Sequence, residues 1–236
     1  MNVLLLVVAV IIAISVFVGY KKGLIRIIAT LLASVLVVAL VGAIAPYISG
    51  WIQKGTPLKE KVQEKVIGML LGEEEQEADE NLLEQDLAKE QQISLLEGAN
   101  MPEVFRQSLL ENNNYEAYAR LGVESFGEYV GAYIAKVISD ILAFVLALLV
   151  VGIAVGIVMK LLGFIDRLPL IGGMNRIAGG AAGIGFGILV VWIMFLIIVL
   201  IYDTSLGEMC FEQIEENKIL SYLYSSNPLM KYVMRF

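Results

Sequence analysis

Few residues in this chain are of types that do chemistry. The 236 residues include no histidine and a single cysteine, Cys210. That removes the commonest general base near neutral pH, any intrachain disulfide and any Cys-rich metal site. Carboxylates, Ser, Lys and Tyr remain, and no triad or metal-ligand spacing appears among them. The acid run Glu73-Glu74-Glu75 with Glu77, Asp79 and Glu80 offers oxygen ligands but lacks the spacing and glycine of a calcium loop, so it reads as a solvated tract. Gly179, Gly183 and Gly187, four residues apart, are not a phosphate loop: no Gly-Lys-Ser/Thr follows and no strand precedes. Ser221 has no base placed near it. The expectation is a protein that is not an enzyme and holds no cofactor or metal. The net charge of −7 speaks against nucleic acid as a partner.

The elements that carry these residues are long and apolar. Hydrophobic residues make up 58% of the chain, above the roughly 45–50% of a soluble domain. Stretches 2–20, 27–53, 141–159 and 177–202 are nearly free of charge. Each is long enough for a helix to cross a hydrocarbon core about 30 Å thick. A helix is the expected form because lipid offers backbone groups no partner. The fold class expected is all-α: a polytopic membrane protein with four transmembrane helices and an inserted extracytoplasmic helical region. Residues 1–53 hold helices one and two, 54–136 the acidic loop, 137–202 helices three and four with a basic loop, and 203–236 an amphipathic tail with a short helix around 211–224. The first stretch lacks a basic leader and an A-x-A site, so it is expected to stay as a span.

Charge sorts by segment. Lys21, Lys22 and Arg26 lie between spans one and two; Lys160, Arg167 and Arg176 lie between spans three and four, against one acid, Asp166. Residues 51–136 carry eight Lys/Arg and seventeen Asp/Glu. Short basic loops stay in the cytoplasm, so both termini and the acidic loop are expected outside.

The acidic loop reads as helical. A first helix is expected from Pro57, with Gly72 as its stop, and a weaker amphipathic pattern spans Leu82 to Leu96. A third helix opens at Pro102 and breaks at Asn112-Asn113-Asn114. Residues 115–136 have a broad apolar-aromatic side that is expected to run into span three without a break. That side either packs on its loop neighbours or lies among the headgroups.

In the fourth span the small face of Gly179, Gly183 and Gly187 lets another helix approach closely. The partner is expected within the chain, on spans two and three (Ala33, Ala39, Gly42, Ala147, Gly152, Gly156), or alternatively in a second copy. The apolar loop 164–176, with Asp166 and Arg167, either anchors at the inner interface or serves a gate. Pro46 with Gly42 is a candidate break in span two. No charged residue sits deep in any span, which weakens a proton-coupled transporter. Two functions stay open: an accessory scaffold presenting the acidic loop to envelope or secretion proteins, and an oligomeric channel or transporter using the Gly-rich helix.

Three motifs resemble the colicin V production family of membrane proteins. The first is Gly19-Tyr20-Lys21-Lys22-Gly23-Leu24-Ile25. The second, and most specific, is Asp166-Arg167-Leu168-Pro169-Leu170-Ile171-Gly172 followed by Asn175-Arg176, Gly179 and Gly183. The third is Ser221-Tyr222-Leu223 with Asn227-Pro228-Leu229. The resemblance covers the four spans and the tail and leaves 51–136 as an insertion. It implies a multi-pass protein of the bacterial inner membrane, involved in production or export of a peptide toxin and in envelope homeostasis. It implies no reaction and no catalytic residue.

Overall fold

The computed structural model describes residues 2–58, 61–62, 87–99, 101–161 and 172–234. Among them there are ten helices and no strand: α1 (Val3–Lys22), α2 (Leu24–Gly55), α3 (Lys89–Gly98), α4 (Glu103–Asn112), α5 (Tyr115–Leu121), α6 (Phe126–Leu161), α7 (Gly172–Leu200), α8 (Ser205–Glu216), α9 (Lys218–Ser225) and α10 (Pro228–Val233). Four of these, α1, α2, α6 and α7, are long and apolar enough to cross a membrane. The chain is an all-α polytopic membrane protein. The stop at Gly72, the acid run 73–80, most of the helix expected after Pro57, and loop residues 162–171 with Asp166 and Arg167 lie outside the described residues.

The chain packs as two units. One comprises Met1–Pro46 with Ala143–Tyr232, the other Tyr47–Leu142 with Val233–Phe236. In the first unit, α1 starts where the Asn2 side chain accepts from the Leu5 N–H at 2.8 Å, an N-cap that satisfies one orphan donor. It stops at Gly23, whose φ of 79° is open to glycine at no steric cost. Thr30 and Ser34 of α2 donate to the carbonyls of Arg26 and Thr30, each at 2.9 Å, which satisfies both hydroxyls within the helix. Pro46 lies inside α2, which continues past it to Gly55.

The tail of this unit is not one amphipathic helix around 211–224. It is three short helices. Asn217 ends α8 in extended conformation, then accepts from the N–H groups of Ile219 and Leu220 to start α9. Asn competes with the helical backbone in this way and so marks helix starts better than interiors.

The second unit has its own dry core. Leu96, Phe105, Leu109, Tyr129, Val130, Tyr133 and Ile134 are buried, and the rings of Tyr118 and Tyr129 stack at 4.8 Å. Buried phenols need partners: Tyr129 Oη donates to the Leu109 carbonyl at 2.8 Å and Tyr133 Oη to that of Met234 at 3.0 Å. The aromatic side of 115–136 therefore packs on loop neighbours. It does not run unbroken into span three. Gly122 closes α5 in the left-handed region at φ 66°. Then Ser125 Oγ accepts from the Glu128 N–H, and the Glu128 carboxylate accepts from the N–H groups of Ser125 and Glu124. This capping box restarts the helix as α6. At 36 residues, α6 is roughly 54 Å long by the helical rise, far more than a bilayer requires. Its first turns form the aromatic core, while Leu149, Val150, Ile153, Ile157 and Val158 near its other end are exposed, as lipid-facing residues must be.

Candidate functional site: the glycine seam and the returning tail

In the first unit, α1 and α7 lie antiparallel and touch backbone to backbone. A Cβ on Gly179 would collide with the Gly19 carbonyl and the Gly23 backbone, one on Gly183 with the backbone of Ser15 and Val16, and one on Gly187 would sit 3.1 Å from the Ser15 Cβ. The three glycines therefore face span one, not spans two and three. Gly152 and Gly156 have open space where a Cβ would go, and Gly42 faces Tyr232. On the α1 side Ser15 and Gly19, with Gly23 at the C-cap, supply small residues at matching spacing. Close backbone approach in lipid draws on van der Waals contact that larger side chains forbid.

Asn175 extends the seam. Its Oδ1 accepts from the Ile25 N–H at 3.4 Å, one of the orphan donors at the start of α2. A Cβ on Gly23 would collide with its Nδ2. The first motif and the Asn175, Gly179 and Gly183 part of the second therefore form one construction, which holds the α1–α2 turn and the start of α7 at the same end of the helix pair. Around it Lys21, Lys22 and Arg176 are exposed, and Lys21 Nζ lies 4.5 Å from the Phe17 ring centroid, a cation–π distance. Arg26 is half-buried, and Lys160, at the last turn of α6, is exposed.

At the other end the tail returns to the spans. Asn2 Nδ2 donates to the Gln213 carbonyl at 2.6 Å, and the Leu4 N–H to Gln213 Oε1 at 2.8 Å. Gly207 permits the sharp entry to α8, since a Cβ there would overlap the Ile201 carbonyl. Trp192, two turns before the end of α7, donates from Nε1 to the Leu223 carbonyl at 3.1 Å. Asn227 is fully buried; its Nδ2 donates to the Trp192 carbonyl at 3.0 Å while its Oδ1 accepts from the Leu229 and Met230 N–H groups. The third motif is thus the clasp between α7 and α10. Tyr224 packs edge-on against Phe195 and Phe211, its hydroxyl buried without a hydrogen-bond partner. Burial, then the Glu215 carboxylate, holds this phenol well above its ordinary pKa. Burial also pushes the Cys210 thiol up.

Sequence reasoning missed Ser15, Trp192, Gly207 and Tyr232. Ser15 was the most findable, being four residues before Gly19.

The second unit holds a separate polar cluster. Gln53 Nε2 donates to Ser49 Oγ at 2.9 Å, Ser49 Oγ donates to Asp140 Oδ1, and Lys136 Nζ pairs with Asp140 Oδ2 at 2.6 Å. The carboxylate placed by sequence at the edge of span three is thus held by a hydroxyl and an ammonium.

Residues 117–228 match the family model described as Colicin V production protein. No curated protein and no solved structure matches the chain. The match begins in α5, inside the stretch read from sequence as an insertion, and ends at Pro228. The first motif and the first two spans lie outside it.

Proposed function

We propose that this chain, whose residues 117–228 match the colicin V production family model, is a member of that family and an accessory scaffold of the bacterial cell membrane with no catalytic step of its own. The family match supports a role in colicin V production. The finer reading is that the spans hold the helical unit of 47–142 outside the cytoplasm, where it engages envelope or secretion proteins and contributes to envelope homeostasis.

One observation carries the proposal: the chain builds a second packed core, around Phe105, Tyr129 and Tyr133, apart from its glycine seam. A loop that merely joined two spans would need no such core. The seam adds support. Helices α1 and α7 meet at backbone distance, which leaves no path along the face of Gly179, Gly183 and Gly187 and counts against the channel reading. The orientation follows from Lys21, Lys22, Arg26, Lys160 and Arg176, which belong in the cytoplasm by the positive-inside rule. Both termini then lie on the outer side.

The test replaces residues 56–124 with a short Gly-Ser linker, in a strain that makes colicin V and lacks its own family member. The proposal predicts normal membrane insertion and loss of colicin V production. Full production from the shortened chain would contradict it.

A further inference from the structure

We infer that α9 lies in the bilayer, its outer face among lipid acyl chains beside the end of α7, and that it is not a helix of the aqueous tail. Gly19 meets Gly179, Ser15 meets Gly183, and Ile12 meets Gly187. Continuing that antiparallel register puts Trp192 level with about Leu6 of α1. The apolar length of α1 is bracketed by Asn2 at one end and Lys21 and Lys22 at the other, about 27 Å by the helical rise, which is close to the thickness of a hydrocarbon core. Trp192 therefore sits about 6 Å inside the Asn2 level, and it is Trp192 that binds the Leu223 carbonyl of α9 and the Asn227 amide just beyond.

Composition agrees with this depth. Helix α8 exposes Leu206 and Met209 too, but it carries Glu208, Glu212, Glu215 and Glu216, all exposed, as a helix in contact with water would. Helix α9, Lys-Ile-Leu-Ser-Tyr-Leu-Tyr-Ser, has no acid; its exposed residues are Lys218, Ile219, Ser221, Tyr222 and Ser225, and the large ones among them with apolar bodies are Ile219 at 60% and Tyr222 at 71%. In the boundary layer they continue the lipid-facing surface that Ile197 of α7 and Leu6 and Val10 of α1 already present. Helices with such a face settle about 5–10 Å into the headgroup–acyl boundary, and Trp and Tyr favour that level. Irregular backbone at this depth must be satisfied by protein. It is: Asn217 supplies the turn into α9, and Asn227 the turn out of it.

The test is spin-label accessibility in the full chain, reconstituted in phosphatidylcholine vesicles in a Cys210→Ser background. Labels go at Tyr222→Cys and, independently, Ile219→Cys. Glu212→Cys is the aqueous reference and Ile14→Cys, on the exposed face of α1, the lipid reference. The expected result is accessibility to a water-soluble nickel chelate several-fold lower at 222 and 219 than at 212, with oxygen accessibility close to that at 14. Chelate accessibility equal to that at 212 would overturn the inference. So would low accessibility to both reagents, which would mean that a second copy or another protein covers the face.

Discussion

The hydroxyl of Tyr232 donates at 2.9 Å to the carbonyl of Gly42, the residue four before Pro46. Proline has no N–H, so the Gly42 carbonyl is the acceptor that Pro46 leaves without its helical donor. In lipid an unmet carbonyl is costly, and the last helix of the tail supplies the missing bond. A Cβ at Gly42 would lie 3.5 Å from the Tyr232 hydroxyl, an ordinary contact distance, so the bond does not depend on glycine there. The Tyr232 ring also leans on Phe144 at 6.3 Å.

This relationship predicts a coupled pair of substitutions. Tyr232→Phe strands the carbonyl and should cost about 1–2 kcal/mol. In a Pro46→Ala background the helix supplies its own donor, and the same change should cost little. Unfolding of the four proteins in nanodiscs gives the cycle. Equal costs in both backgrounds would mean that the bond does not stand in for the donor Pro46 removes.

At the seam, Gly183→Leu should abolish folded, monodisperse protein, because its Cβ alone would overlap the Ser15 backbone. Gly185→Leu, two residues on, meets open space and should leave the yield unchanged. Size-exclusion profiles of the two variants distinguish a packing role from a general intolerance of bulk in α7.

Asn227→Ala removes the cap of α10 and one hold on Trp192. A loss of about 1–3 kcal/mol is expected, because buried donors and acceptors on both sides are stranded. The visible result should be faster proteolysis after residue 217 with the spans intact.

Cys210 reports both side and environment. Its raised pKa lowers the thiolate fraction at neutral pH, and the thiolate is the reactive form. A membrane-impermeant maleimide should therefore label intact cells slowly at neutral pH and faster as pH rises past the ordinary thiol range. Labelling only after lysis would reverse the proposed orientation.

The spans were legible because lipid demands length and apolarity, and both are written in single residues. The glycine face was legible for the same reason, being a local pattern of period four. Its partner was not: Ser15, Gly19 and Gly23 match the spacing of Gly179, Gly183 and Gly187, but so do Ala135, Ser139, Ala143 and Ala147 of α6, and spacing alone does not choose between them. The break before α6 was present in the sequence as Ser125-Phe126-Gly127-Glu128, a capping box hidden by the aromatic run on either side. The return of the tail was not readable at all. Tyr232 serves Gly42 across 190 positions, and nothing local to either residue announces the other.

Ion flux through the purified protein in liposomes tests most directly whether this is a scaffold or a conduit. With folded, inserted protein, and with or without membrane tension, the account predicts flux no greater than that of protein-free vesicles. Reproducible flux that scales with the amount of folded protein would contradict it and would turn attention from the 47–142 unit to the spans as the working part.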